Sequence, residues 1–191
     1  MTVSVLVKIR GIAPLLQNAF EPDFENEDAT RTTLVQRGTP KEQAEARCYR
    51  DSENFLFFPG AAIARMVREA GANHKLKGSR RSVKWVVPSS VIVDSEIIHI
   101  LDEKGKRCKE FEVDRRPVTI PATKGRIMRY RPRWDKWRAA FVLSIEEDML
   151  PVDLVQQLVE EGGRRIGVGD YRPEKGGPFG RFALDSWETI K

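Results

Sequence analysis

Residues 167–182, GVGDYRPEKGGPFGRF, hold the densest set of groups in the chain suited to binding a phosphodiester backbone. Gly167, Gly169, Gly176, Gly177 and Gly180 permit positive φ and let the main chain come close to a ligand. Arg172, Lys175 and Arg181 can neutralise phosphates, and exposed amides of a glycine-rich turn can donate to the same oxygens. Tyr171 and Phe179 offer faces on which bases stack, worth roughly 1–3 kcal/mol per base. The stretch is not the phosphate loop of nucleotide-binding enzymes, because it lacks a terminal Gly-Lys-Ser/Thr and precedes a strand rather than a helix. A hairpin whose glycines serve turn geometry alone has the same composition, so position along the chain must decide.

Two further segments carry unbalanced positive charge. Residues 73–84 (NHKLKGSRRSVK) contain Lys75, Lys77, Arg80, Arg81 and Lys84 and no acid. Residues 115–138 contain nine Lys/Arg against the single acid Asp135, and they include Arg126, Arg129, Arg131 and Arg133. The acids concentrate elsewhere, with five in residues 21–28. Within an overall net charge of +5, this segregation produces a local field that attracts polyanions. On a strand, Arg129, Arg131 and Arg133 line one face at ~6.6 Å intervals, close to the phosphate spacing of an extended nucleic-acid strand. An edge strand protected from aggregation by charge reads the same way. Trp134 and Trp137, three residues apart, read as packing residues.

Groups for bond-breaking chemistry are sparse. His74, beside Lys75 and near Lys77, is the one candidate for acid–base work on a phosphodiester, and a histidine in a basic loop is as well a phosphate contact. His99 falls in a strand and reads as structural. The sequence shows no metal-ligand cluster, nucleophile triad or dinucleotide fingerprint, and no cofactor is expected. Cys48 and Cys108 lack metal-ligand spacing and read as free thiols of a reducing cytoplasm. No apolar run reaches the ~18 residues of a membrane span, and the amino terminus has no signal-peptide pattern. A cytoplasmic protein with no membrane partner is the expectation.

The elements that must position these groups follow from periodicity. Val3, Val5, Val7 and Ile9 alternate as a half-buried strand. Residues 11–58 lack a steady period, include a short run of helix formers at 41–47, and read as an insertion. Pro59-Gly60 opens a helix with Ile63, Met66, Val67 and Ala70 on its core face, ended by Gly71. Strands are expected at 83–87 and 91–101. Residues 102–137 form a second insertion, in which 113–120 and 126–131 pair as a hairpin across 122–125. A strand follows at 139–146. Pro151 starts a second helix, with Val155, Leu158 and Val159 facing the core and Gly162-Gly163 stopping it. A short strand at 165–168 enters the glycine-rich loop, and 182–187 forms a closing strand. Without the insertions the order is β-α-β-β-α-β, an α+β chain of ferredoxin-like (RRM-like) type in a single domain over 1–191.

This order, the segment PGAAIARMVREA at 59–70, and the succession of helix, Gly162-Gly163, Gly167-Val168-Gly169 and a loop ending Gly180-Arg181-Phe182 resemble one family. It is the RAMP superfamily of CRISPR-associated proteins, and in particular its guide-RNA-binding backbone subunit. The resemblance covers the first strand, both helices and the last loop, about half of the chain. It extends upstream to the aromatic run Phe57-Phe58-Pro59-Gly60. After Pro-Gly the family often has Ser-Leu-Lys-Gly, whereas this chain has Ala61-Ala62-Ile63-Ala64, so a polar contact made there by relatives does not carry over.

The resemblance implies a single-stranded nucleic-acid-binding subunit that grips the backbone of a guide RNA without reading its sequence. It implies a homo-oligomer, helical along the guide, with other subunits of a ribonucleoprotein as partners and a role in antiviral defence. It also implies a thumb-like hairpin, which either insertion can supply, in a compact member of cellular or viral origin. The acidic run 21–28 or a sheet edge would then meet the next protomer. No catalytic role is expected. Some relatives cleave RNA, so a small metal-independent endoribonuclease using His74 stays open. Single-stranded DNA as the ligand, bound by a viral protein on the same fold, stays open too, as does a protein-only scaffold.

Overall fold

A computed structural model describes residues 1–19, 38–76, 78–119 and 123–190. The acidic run 21–28, Lys77, Ile120 and Ala122 lie outside the described residues. In chain order the elements are β1 (Thr2–Gly11), β2 (Leu15–Leu16), α1 (Pro40–Glu45), β3 (Phe57–Pro59), α2 (Gly60–Ala70), α3 (Val87–Ser90), β4 (Val91–Val93), β5 (Ile97–His99), β6 (Glu112–Thr119), β7 (Arg126–Trp134), β8 (Arg138–Glu146), α4 (Val152–Arg165) and β9 (Phe182–Ile190). The chain is α+β, with antiparallel pairing in every sheet.

The largest sheet has the spatial order β4-β8-β1-β9. The alternation along β1 puts Val5, Val7 and Ile9 on one face, and the same rule puts Ala139, Phe141, Leu143 and Ile145 beside them on β8. The apolar stripes of α2 (Ile63, Met66, Val67) and α4 (Val155, Leu158, Val159) belong to the same core. A second sheet, β2-β7-β6, carries the basic hairpin, and β3 with β5 forms a third. Among the described residues no helix is long and apolar enough to cross a membrane.

Several boundaries differ from those expected, each for a tertiary reason. Residues 83–87 are a 3-10 turn (Val83–Trp85) leading to the short helix α3, not a strand. The apolar run 91–101 breaks into two strands in different sheets, because Gly60 donates its amide to the Glu96 carbonyl and pulls the second half toward α2. Pro59 and Pro151 stand just before their helices, in extended conformation, rather than in the first turn. Gly71 does not end α2 in a left-handed turn: its φ is −64°, the chain continues into a 3-10 turn, and a Cβ there would come within 2.9 Å of the Lys84 amide nitrogen.

Gly162 and Gly163 do not stop α4, which runs on to Arg165. They let it approach its neighbours, since a Cβ on Gly162 would collide with Met66 and one on Gly163 would lie 2.6 Å from the Phe182 ring. That is the close packing for which a helix tolerates glycine, at a cost of about 1 kcal/mol in propensity. Residues 165–168 form no strand, because Gly167 takes φ +73° directly after the helix.

Candidate nucleic-acid interface

The glycine-rich loop leaves α4 at Ile166 and returns at β9. It is stitched to the body by its own amides. Gly167 donates to Gly162, Val168 to Gly180, Asp170 to Leu16, and Gly180 to Pro14, each at 2.8–3.0 Å. Within the loop Gly177 donates to Arg172, Gly176 to Pro173 and Lys175 to Arg172. These amides are therefore engaged inside the protein, which corrects the expectation that they cradle phosphates. The glycines follow the same logic. A Cβ on Gly169, Gly177 or Gly180 would collide with the carbonyl of Leu16, Tyr171 or Val168 respectively, and Gly167 is confined by Gly180 and Pro173. Only Gly176 of the five has open space around it.

The two aromatic residues separate in role. Tyr171 is 40% exposed and stays available to a base. Phe179 is 4% exposed and cannot serve as a platform. Its ring lies 6.0 Å from that of Tyr171, and the Arg116 guanidinium sits 4.3 Å from its centroid, in the place a base would take.

The hairpin of β6 and β7 carries the arginine row as its alternation implied. Arg129, Arg131 and Arg133 share one face, opposite Arg116, Asp114 and Glu112. That face turns toward the glycine-rich loop, and acids compensate part of it. Asp114, whose side chain is only 3% exposed, contacts Arg116 at 2.9 Å and Arg133 at 3.4 Å, and Arg133 also reaches Asp135 at 2.5 Å. Arg131 Nε lies 2.7 Å from Asp170 Oδ2, without the orientation of a hydrogen bond, so the contact is ionic. Arg131 and Arg133 are thus already partnered, which corrects the picture of a free row at phosphate spacing. Arg129 stands in the same cluster. Burial first, then Arg47 and Arg131, push its pKa below the ordinary guanidinium value, the mark of a crowded cationic spot.

Two concavities border the loop. A cleft of about 250 Å³ runs between α2 and the loop, lined by Gln17, Tyr49, Ala62, Arg65, Gly169 and Arg172 among others. Arg65 reaches Glu174 at 2.7 Å from the α2 side, and Arg172 reaches the same carboxylate at 2.9 Å. The buried Gln17 braces its floor, donating to the Phe57 carbonyl at 2.6 Å and accepting from the Tyr49 amide at 3.2 Å. A second groove, lined by Arg116, Thr119, Arg131 and Tyr171, separates the hairpin from the loop.

The remaining sequence candidates fall in more than one place. Lys175 and Arg181 are exposed on the loop, and Arg126 is exposed near the hairpin turn. Lys75, Arg80 and Arg81 are exposed on a separate loop at the far end of α2. His74 lies 3.4 Å from Glu161, and His99 contacts Asp51 at 2.7 Å. Among the described residues no group of His, Cys, Asp and Glu is arranged to hold a metal. Arg47, Arg65 and Arg116 were not foreseen. Arg116 carried a signal, since it falls in the basic block and in register with Arg129, whereas Arg47 and Arg65 are brought in only by folding.

By sequence the chain matches no family model and no curated protein. Solved structures resemble it. A chain of the structure described as "Type III-B Cmr-beta bound to cognate target RNA" superposes with a TM-score of 0.59 at 15% identity, over 100% of this chain and 61% of its own length. The present chain thus spans about three fifths of the length of that chain. Cmr6 from Pyrococcus furiosus superposes with a TM-score of 0.50 at 12% identity, over 96% of this chain and 99% of that one. At such identities the likeness is one of fold alone.

Proposed function

We propose that this chain is a non-catalytic subunit that holds single-stranded RNA, a guide RNA, in a CRISPR-type ribonucleoprotein. One observation carries the reading: the basic hairpin and the glycine-rich loop, about 40 residues apart in sequence and each suited to a polyanion, face one another across a groove lined by Arg116, Arg131 and the exposed Tyr171. The exposed Arg126, Lys175 and Arg181, on the hairpin and the loop that flank it, supply phosphate contacts, and Tyr171 supplies a sequence-tolerant stacking surface. The order β4-β8-β1-β9, with α2 and α4 in one core, supports the ferredoxin-like form of the fold. The similarity in fold to a chain from a complex with target RNA supports RNA as the ligand.

In this reading copies assemble head to tail along the guide, an open heterologous contact that suits a linear ligand. Half-buried Cys48 and Cys108, both free thiols, suit a reducing cytoplasm. His74 lies 3.4 Å from Glu161, and in this reading it takes no part in cleaving RNA.

The test is purification followed by the absorbance ratio at 260 and 280 nm, nuclease digestion of bound polymer, and titration with matched RNA and DNA oligonucleotides. RNA protected in regular steps is expected. Clean, monomeric protein that ignores oligonucleotides at low salt overturns the reading. Tighter binding to DNA replaces RNA as the ligand, and metal-independent cleavage abolished by His74→Ala overturns the non-catalytic assignment.

A further inference from the structure

The chain has four tryptophans, and packing accounts for two of them fully. Trp134 and Trp137 are 6% and 1% exposed, and each indole N–H donates to a carbonyl, of Glu110 and Ala13 respectively. Trp187 is half-buried against the core. Trp85 is 76% exposed and makes no ring contact among the described residues. Nothing among the described residues explains an indole held in water.

Its surroundings are rigid and charged. Val83 and Val87, on either side of it, are buried, so the turn between them is pinned to the core and projects Trp85 outward. Lys75 and Ser82 are bridged, Val83 donates to the His74 carbonyl at 2.9 Å, and the Ser82 hydroxyl caps the end of α2 through Gly71 at 2.9 Å. The loop so closed presents Lys75, Arg80 and Arg81, all exposed and without an acidic partner among the described residues. Their neighbours do not share this. Lys84 reaches Glu69 at 2.7 Å and Arg68 reaches it at 2.9 Å. At this end of α2, Lys75, Arg80 and Arg81 thus lie without an acidic partner among the described residues on the loop that leads to the exposed indole, while Arg68 and Lys84 are paired.

We infer that Trp85, with Lys75, Arg80 and Arg81, is a second contact for single-stranded nucleic acid, in which a base stacks on the indole and adjacent phosphates meet the three cations. The inference rests on the proposed RNA-binding role and extends it to a site at the opposite end of α2 from the glycine-rich cleft. The 11 residues of that helix span about 16 Å, so the two contacts engage different nucleotides of one strand. A protein partner is the competing occupant of an exposed tryptophan. Unpaired cations argue against it, because the buried centre of a protein interface is depleted in charge, whereas single-strand sites pair cations with aromatic platforms.

The test compares wild type, Trp85→Ala, Trp85→Phe and, as a reference at the other site, Lys175→Glu, using a fluorescently labelled uridine 20-mer. Trp85→Ala is expected to weaken binding about 5- to 100-fold. Trp85→Phe should retain most of the affinity, and the wild-type indole fluorescence should be quenched on titration. The exposed position predicts an unchanged melting temperature for each Trp85 variant. If Trp85→Ala binds as wild type while Lys175→Glu is weakened, this inference is overturned and the RNA-binding role stands. If the wild type binds no oligonucleotide, the RNA-binding role falls and this site with it. Loss of a co-purifying protein on Trp85→Ala, with RNA affinity intact, assigns the surface to a protein partner and also overturns the inference.

Discussion

Arg65 on α2 and Glu174 in the glycine-rich loop meet at 2.7 Å across the cleft, and Arg172 holds the same carboxylate at 2.9 Å. One acid thus ties together two arginines on opposite walls, in a position where a phosphate oxygen would satisfy both. Glu174→Gln removes the competing charge and is expected to tighten RNA binding about 2- to 5-fold, the scale of a half-exposed ion pair. Arg172→Ala should weaken it. Fluorescence anisotropy at fixed salt reads both, and weaker binding by Glu174→Gln would show that the acid organises the cleft instead of occupying it.

Exposed cations of the hairpin and the loop should act through phosphate alone. Charge reversal at Arg126 or Lys175 is expected to weaken binding to all sequences alike. It should also lower the slope of log K against log salt by about one for each phosphate no longer neutralised. An unchanged slope would remove those residues from the interface.

The buried glycines should behave as structural elements. Gly163→Ala places a methyl 2.6 Å from the Phe182 ring and 2.7 Å from its carbonyl oxygen, and is expected to cost about 1–3 kcal/mol by overpacking. For a chain of this size that lowers the melting temperature by roughly 2–12 °C. Gly176→Ala, strained in φ but in open space, should cost less. Calorimetry of the two variants ranks them.

The hydrogen bond from His99 holds the Asp51 carboxyl below its ordinary range, with help from the Phe55 and Glu53 amides. A depressed folded value means that this stabilisation is fully present above the unfolded value, near pH 4, and is lost as pH falls through the folded one. Asp51→Asn should therefore melt lower than wild type at pH 7, and the gap should close below pH 4. A gap independent of pH would point to packing rather than charge.

Burial pushes the Cys48 thiol up to about 12, so it carries almost no thiolate at pH 8. Native protein should react slowly with iodoacetamide at that position, and unfolded protein at the rate of an ordinary cysteine. Mass spectrometry of timed samples distinguishes the two.

The alternations of β1, β8 and β7 and the apolar stripes of α2 and α4 were legible in the sequence, because period 2 and period 3.6 are local consequences of backbone geometry. So were the two basic segments, the glycine-rich loop and the aromatic character of both. The roles of individual residues within them were not. Phe179 and Tyr171 look alike in sequence, yet one is covered by Arg116 and the other faces solvent. Gly162-Gly163 reads as a helix stop and instead lets α4 close on Met66 and Phe182. Arg131 and Arg133 read as free cations until folding brings Asp170 and Asp114 beside them. Composition along the chain determined that this protein has a cationic, glycine-rich region joined to an α+β core. Which of its groups remain unpaired was decided only by tertiary structure, since an ion pair or a stacked ring depends on residues that are distant in sequence and adjacent only in space.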